Sequence, residues 1–236
     1  MNKGNFLNGA GYLIEGFKLL NHPKLRLFVL VPILVNTLLF IALTTVLVQQ
    51  FTDMLDWLME WLPAWADFMA WVVGVVLALF VVLIYGYSFS MITNVLAAPF
   101  YGVLAEKAEE LASGRLLEGE SLLHMIPRTV VREIRKLWYF LWRSLIILIL
   151  SFVPLIGPLV AAIWAAWSMS VQYSDYAADN HMTPFTRLRA LLGTRLWSAL
   201  GFGATVMLGM MVPVLNIFIM PAAVVGGTLF WLRELK

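Results

Sequence analysis

Four long segments of this 236-residue chain contain no Asp, Glu, Lys or Arg: residues 27–52, 68–105, 144–174 and 196–232. A helix that crosses a bilayer needs about 20 predominantly apolar residues, so each segment is long enough to enter a membrane. The composition agrees, because only 13% of the residues are charged, whereas soluble domains contain about a quarter. The chain is therefore predicted to be an integral membrane protein.

The first two charge-free segments predict two long membrane helices, over residues 23–52 and 68–111. Pro99 is expected to kink the second helix or to mark its exit from the membrane, and a Ser-Gly pair at 113–114 is a typical helix end. The intervening stretch, residues 53–67, has four carboxylates and no basic residue. Because basic residues favour the cytoplasmic side, this stretch is predicted to be extracytoplasmic and the N-terminus cytoplasmic.

The last two charge-free segments are broken by proline and glycine, in SFVPLIGPLV and MVPVLNIFIMP. The resulting arms are too short to cross a bilayer alone, which favours helical hairpins over residues 137–174 and 196–232 that enter the membrane and return. Two kinked spans are the alternative, but they would place the arginines of residues 175–195 outside the cytoplasm. Both segments follow a basic–Leu–Trp triplet, at an offset of 59 residues, which indicates an internal repeat.

Residues 5–20 show apolar side chains at helical spacing, with Glu15 and Lys18 between them, and predict an amphipathic helix at the membrane interface. The whole chain, residues 1–236, is then a single membrane domain with both termini cytoplasmic. Its fold class is predicted as an all-α integral membrane protein with two long transmembrane helices and two re-entrant hairpins.

The stretch NHPKLR at the start of the first membrane helix predicts an oxyanion site. Asn21 is a good N-cap residue, and Pro23 suits the first helical position. The amides of Lys24, Leu25 and Arg26 would then lack helical partners at the positive end of the helix dipole. Lys24 adds a point charge and Arg26 a planar fork that matches a tetrahedral anion. The alternative is that these cations only anchor the cytoplasmic end of the span.

Five stretches carry a resemblance to a known family: FKLLNHPKLRLFVLVPILVN, LAAPFYGVLAEKAEE, MIPRTVVREIRKLWYFL, VQYSDYAADNHMTPF and PVLNIFIMPAAVVG. Through them the chain resembles, nearly end to end, the CysZ family of bacterial inner-membrane sulfate permeases. The resemblance implies sulfate uptake for cysteine synthesis, with proton coupling in some members. It also implies two long membrane helices, two partly penetrating hairpins, and homo-oligomers from dimer to hexamer.

The resemblance places the sulfate site at the start of the first membrane helix, where the family has Pro-Gly-apolar-Arg-Arg. Here the segment reads Pro23-Lys24-Leu25-Arg26-Leu27, so Lys24 replaces the glycine and Leu27 replaces the second arginine. Arg26 is the first candidate for binding sulfate. The backbone amides of Lys24 and Leu25 are the second.

Candidate pathway residues are few. Asn36, Asn94 and Asn216 lie in the charge-free segments, where hydrogen bonding between helices is the alternative role. No carboxylate or histidine lies deep in those segments, so a proton carrier would have to come from the interface. Glu15 and Glu106 are the named candidates for that role. Others that the sequence does not rank are Glu109, Glu110, Glu133, His22, His124 and His181. Channel-like flow of sulfate down its gradient stays open.

The segment 124–143 places Arg128, Arg132, Arg135 and Lys136 at near-helical spacing. It is interpreted as an interfacial helix whose basic side chains face lipid headgroups, or alternatively as a device that concentrates sulfate. Acidic residues that could cancel its field are Glu106, Glu109, Glu110, Glu118 and Glu120.

No catalytic motif is recognisable, since the histidines are too far apart for a metalloprotease pair and no nucleophile elbow or dinucleotide loop is complete. An enzyme is therefore not expected, and the resemblance together with the cations at the start of the first membrane helix implies a sulfate transporter. It is expected to have no cofactor, no metal and no nucleic-acid partner, and to contact sulfate, membrane lipid and copies of itself. The alternative function is a membrane scaffold or accessory subunit of another transporter.

Overall fold

The computed structural model describes residues 3–61, 67–115, 122–212 and 215–236, and within these ranges it contains helices and no β-strand. The prediction of an all-α membrane protein is confirmed. The helices are α1 (Phe6–Leu20), α2 (Pro23–Trp61), α3 (Asp67–Ser113), α4 (Leu122–Leu150), α5 (Ile156–Asn180), α6 (Phe185–Thr194), α7 (Leu196–Met210) and α8 (Leu215–Phe230), the last followed by a short π-helix, Trp231–Leu235.

The chain divides into two compact units, one formed by Pro32–Leu96 and the other by Met1–Val31 together with Ala97–Lys236. The smaller unit is an antiparallel helix pair. Thr44 Oγ1 lies 2.7 Å from the Tyr85 hydroxyl, and one helical turn away the rings of Phe40 and Phe89 meet at 5.6 Å. The segment Thr37–Trp57 is long and apolar enough to cross a membrane, and none of it is buried. Its surface is therefore suited to lipid.

In the larger unit, α4 and α5 form an antiparallel hairpin. Arg132 of α4 bonds Asp175 of α5, and Ser144, twelve residues further along α4, accepts a hydrogen bond from Trp164, eleven residues back along α5. The arms are joined at residues 151–155, where Phe152 is 81% exposed. A large exposed ring at the end of an apolar hairpin is suited to insertion into lipid.

Helices α7 and α8 form a second antiparallel hairpin, with the rings of Phe202 and Phe230 at 6.0 Å near its base. The segment Phe218–Leu235 is also long and apolar enough to span a membrane, and 72% of it is buried inside the protein. Within the predicted loop 175–195 the structure adds helix α6, which meets α7 at an angle of 104°.

Helix α1 packs against α7 and α8 through glycine. A β-carbon added at Gly9 would lie 2.0 Å from the carbonyl oxygen of Ser198, and one added at Gly16 would lie 2.2 Å from that of Ala222. The backbones can approach this closely only because no side chain separates them. The opposite face of α1 carries Leu7, which is 77% exposed.

Helix α3 ends as the sequence predicts. Its last residue is Ser113, and Gly114 follows with a positive φ of 69° while its amide donates to the carbonyl oxygen of Glu110. Glycine adopts this left-handed conformation without steric cost. Pro99 lies inside the helix.

Candidate functional site

Helix α2 begins at Pro23, as the sequence predicts, but its capping differs from the prediction. Asn21 is the C-cap of α1 and not the N-cap of α2. The residue that precedes the proline, His22, accepts a hydrogen bond on Nδ1 from the Lys24 amide at 3.4 Å and another on its carbonyl oxygen from the Leu25 amide at 2.9 Å. Two amides that were expected to face an anion thus have partners within the protein.

The side chain of Arg26 lines a cavity of about 290 Å³ between α1, α2 and α8. The cavity lining consists of Phe17, Leu20, Asn21, Arg26, Leu30 and Phe218. Arg26 is the charged member of this lining, and no carboxylate among the described residues pairs with it. A guanidinium beside apolar walls attracts an anion more strongly than one in bulk water, because the local dielectric constant is lower.

Lys24 and Arg26 have different neighbours. Residues two apart on a helix lie on nearly opposite faces. Lys24 is exposed and lies near Glu110, the pKa of which is lowered mainly by a hydrogen bond from Lys107 and slightly by the charge of Lys24. The side chain of Leu25 is fully buried, so only its backbone could contact a ligand.

The remaining predicted site residues that the structure describes share no common partner. Glu15 pairs with Arg233 at 2.7 Å, and a carboxylate oxygen of Glu106 lies 3.9 Å from the ammonium of Lys107. Asn216 has a buried side-chain oxygen with no hydrogen-bond partner among the described residues. The side chains of Asn36 and Asn94 lie outside the described part of the structure.

A buried ion network between α4 and α5 was missed by the sequence analysis. The guanidinium of Arg132 donates hydrogen bonds to the Asp175 carboxylate from Nε and Nη2, at 3.0 and 2.6 Å. Its Nη1 donates to the Asp179 carboxylate at 3.0 Å. Arg128 also pairs with Asp179. Lys136, only 1% exposed, completes the network from α4 through its ion pair with Asp175.

The prediction that the whole basic segment faces headgroups is therefore wrong for Lys136, which is buried, and incomplete for Arg128 and Arg132, which are bound by carboxylates of α5. These residues recur every four positions, so they share the face of α4 that packs on α5. Arg135 lies off this face and is exposed. The partners that the structure describes are the α5 carboxylates and Glu133, 2.5 Å from Lys136, and the described neighbours Glu106, Glu109 and Glu110 are not among them. The other predicted acidic neighbours, Glu118 and Glu120, fall outside the described residues.

Burial and charge oppose each other in this network. Burial by itself raises the pKa of the Asp175 carboxyl, but the nearby Lys136 ammonium and Arg132 guanidinium outweigh it and lower the pKa below its ordinary value. Burial likewise lowers the pKa of Lys136, and Asp175 with Glu133 reverses this, so that the pKa is raised. Both groups are therefore charged near neutral pH.

A second cluster joins α3 to the segment after α5 and to the π-helix. The carboxylate of Glu109 is 3% exposed and accepts from His181 Nε2 at 2.8 Å and from Lys236 Nζ at 3.1 Å. The His181 ring stacks on Trp231 with centroids 5.8 Å apart. Of the titratable residues that the sequence could not rank, Glu109 and His181 are thus brought together.

Comparison with known proteins decides the family. A family model described as sulfate transporter CysZ/etoposide-induced protein 2.4 matches residues 12–221, which is most of the chain. The chain belongs to this family. The resemblance noted in the sequence is confirmed.

CysZ relatives match the chain nearly end to end. A protein of Pseudomonas aeruginosa (strain LESB58) is 44% identical over 235 residues, covering 97% of this chain and 96% of its own length. One from Pseudomonas fluorescens (strain Pf0-1) is 43% identical, covering 97% and 94%. One from Salmonella typhimurium (strain LT2) is 38% identical over 231 residues, covering 95% and 91%. Each of the three is named sulfate transporter CysZ.

Proposed function

We propose that this protein transports sulfate across the bacterial inner membrane and so supplies sulfur for cysteine synthesis. Relatives named sulfate transporter CysZ, which cover almost the whole chain, support the substrate. The observation that carries the proposal is Arg26, a guanidinium with no carboxylate partner among the described residues, at the edge of a cavity beside an apolar helix. Transport, and not catalysis, is the function to which these features point.

In this proposal Arg26 is the principal sulfate ligand. Its planar fork can donate two parallel hydrogen bonds to two oxygens of a tetrahedral anion. The amides of Lys24 and Leu25 join it when His22 gives up the two hydrogen bonds it accepts from them. Lys24 contributes a longer-range positive charge from the other face of the helix.

The same proposal includes the membrane topology, the oligomeric state and the candidate pathway residues. The N- and C-termini lie in the cytoplasm, residues 53–67 lie outside it, and the protein assembles as a homo-oligomer. Glu15 and Glu106 remain candidates for proton-linked steps, with Asn36, Asn94 and Asn216 as candidates for the pathway. Whether protons accompany sulfate is decided by measuring flux with and without a pH gradient.

Sulfate flux into proteoliposomes tests the role of Arg26. Arg26→Ala is expected to weaken sulfate binding about tenfold or more, because a hydrogen bond to a charged group contributes about 1.5–3 kcal/mol. Arg26→Lys keeps the charge but loses the fork, and should retain part of the flux. Arg187→Ala removes an exposed arginine from α6 and is the matched control, for which no change is expected.

Two results would contradict this proposal in different ways. Unchanged sulfate affinity in Arg26→Ala would remove the site assignment but leave transport intact. Purified wild-type protein that passes no sulfate while co-purifying with a transporter would instead favour the scaffold or accessory role.

A further inference from the structure

A cavity with a basic lining lies away from Arg26, at the corner between α4 and the segment that leads from α5 into α6. Its volume is about 630 Å³. The lining residues are Pro127, Arg128, Val131, Arg132, Arg135, Asp179, Met182, Pro184, Phe185 and Thr186. We propose that this cavity binds the headgroup of an anionic phospholipid.

The charge of the cavity lining favours an anion. It contains three guanidinium groups and one carboxylate. The carboxylate, Asp179, is already bonded by Arg128 and Arg132. The third guanidinium, that of Arg135, is exposed and has no carboxylate partner among the described residues. A phosphate that enters the cavity would therefore meet an excess of positive charge.

A further guanidinium stacks on an aromatic residue of the cavity lining. Phe185 lines the cavity, and the guanidinium of Arg189 lies over its ring, 5.0 Å from the centroid. Arg189 also covers the ring of Tyr139 at 4.5 Å, so it is held at this corner. Cations of α4 thus line the cavity, and a cation of α6 stacks on one of its lining residues.

Size and apolar surface favour a lipid over a free inorganic anion. The volume equals that of roughly twenty water molecules at about 30 Å³ each, far more than one sulfate or phosphate fills. Half of the lining is apolar, and the exposed apolar surface of α4 continues from Val131 through Ile134 and Trp138 to Trp142. An amphiphile can place its phosphate among the arginines and its acyl chains along this surface.

The arginines at the cavity also explain why the basic segment carries more cations than the ion network uses. Arg128 and Arg132 serve the network, and Arg135 does not. Its position next to Val131 and Ile134, both about half exposed, is where the headgroup region meets the acyl region. This gives Arg135 a role in lipid binding that is independent of sulfate.

The test measures lipid retention by the purified, full-length protein. Delipidated protein in detergent is titrated with phosphatidylglycerol or phosphatidylcholine, and bound lipids are counted by native mass spectrometry. Wild-type protein should retain phosphatidylglycerol in preference to phosphatidylcholine. Arg135→Ala should weaken phosphatidylglycerol retention about fivefold, the effect of one basic residue near an anionic surface. Val131→Glu, which adds a carboxylate at the half-exposed mouth, should weaken it further.

Arg187→Ala is the matched control, because Arg187 is an exposed arginine of α6 that does not line the cavity. Unchanged thermal unfolding confirms that each variant is folded. Equal retention of the two lipids by the wild type, or wild-type retention by Arg135→Ala, would overturn the proposal. So would displacement of phosphatidylglycerol by millimolar sodium sulfate or inorganic phosphate, since the cavity would then be a site for small anions.

Discussion

The ammonium group of Lys136 lies 3.1 Å from a carboxylate oxygen of Asp175, and the two side chains are 1% and 2% exposed. A buried charge is tolerated only with partners, and here each partner comes from the other arm of the α4–α5 hairpin or from the next helical turn. The pair therefore links the two helices at the base of the hairpin. Among the described residues no ion pair links them at the apolar tip, residues 151–155.

Replacing Lys136 by methionine should destabilise the protein by about 3 kcal/mol, because Asp175 and Glu133 lose a buried counter-charge. Arg135→Met is the matched control on the same helix, and as an exposed change it should stay within about 0.5 kcal/mol of the wild type. Thermal unfolding in detergent measures both. Equal stability of the two variants would show that the ion pair contributes nothing. The double variant Lys136→Met, Asp175→Asn should lose less than the two single changes combined.

The stability of the protein should depend on pH through Asp175. Burial by itself would raise the pKa of Asp175. Lys136 and Arg132 outweigh this effect, so the pKa is lowered in the folded state. A depressed folded pKa contributes stability above the unfolded value of about 3.9 that is lost as the pH falls through the folded pKa. Asp175→Asn should therefore be less stable than the wild type at pH 6, and the difference should shrink below about pH 4. A constant difference down to pH 2 would contradict this.

The glycine contacts of α1 can be tested within one helix. Gly9→Ala places a β-carbon against the Ser198 carbonyl and should cost about 1–3 kcal/mol, whereas nothing lies within 4 Å of a β-carbon at Gly11. Gly11→Ala should be neutral or stabilise by up to about 1 kcal/mol, because alanine favours helix. The unfolding temperature of Gly9→Ala should fall, and that of Gly11→Ala should rise or stay unchanged. Equal losses of stability in Gly9→Ala and Gly11→Ala would indicate that the effect comes from the helix backbone and not from the contact between α1 and α7.

The proposed topology predicts which residues can be labelled from outside the cell. The chain has no cysteine, so a single one can be introduced at an exposed position. A cysteine at Asp56 should react with a membrane-impermeant maleimide in intact cells, whereas one at Arg187 should react only after the membrane is opened. Labelling of both in intact cells would support four spans in place of two spans and two hairpins.

Much of the fold was predictable, because its cause lies in local composition. Charge-free segments predicted the membrane helices, and Ser113 with Gly114 marked the end of α3. The α4–α5 ion network was not predictable in the same way, since it depends on the register of two arms joined at residues 151–155. Once that register is known, arginines and lysine spaced by four meet aspartates spaced by four.

The candidate site was predictable only in part. Arg26 stood out because it follows a proline at the start of an apolar helix. The role of His22 did not, since histidine is not among the preferred capping residues. The divergence of Lys24 and Arg26 follows from helix geometry alone and could have been expected. The cavity could not, because Phe17 and Phe218 reach it from helices that are far apart in the sequence.

The glycine-mediated packing of α1 also constrains how the protein can move. Where a backbone carbonyl faces a glycine directly, as at Gly9 and Gly16, there is no layer of side chains that could rearrange to let one helix slide past the other. Helices α1, α7 and α8 should therefore move as one rigid body in any conformational change, and hinges for such a change should lie elsewhere in the chain.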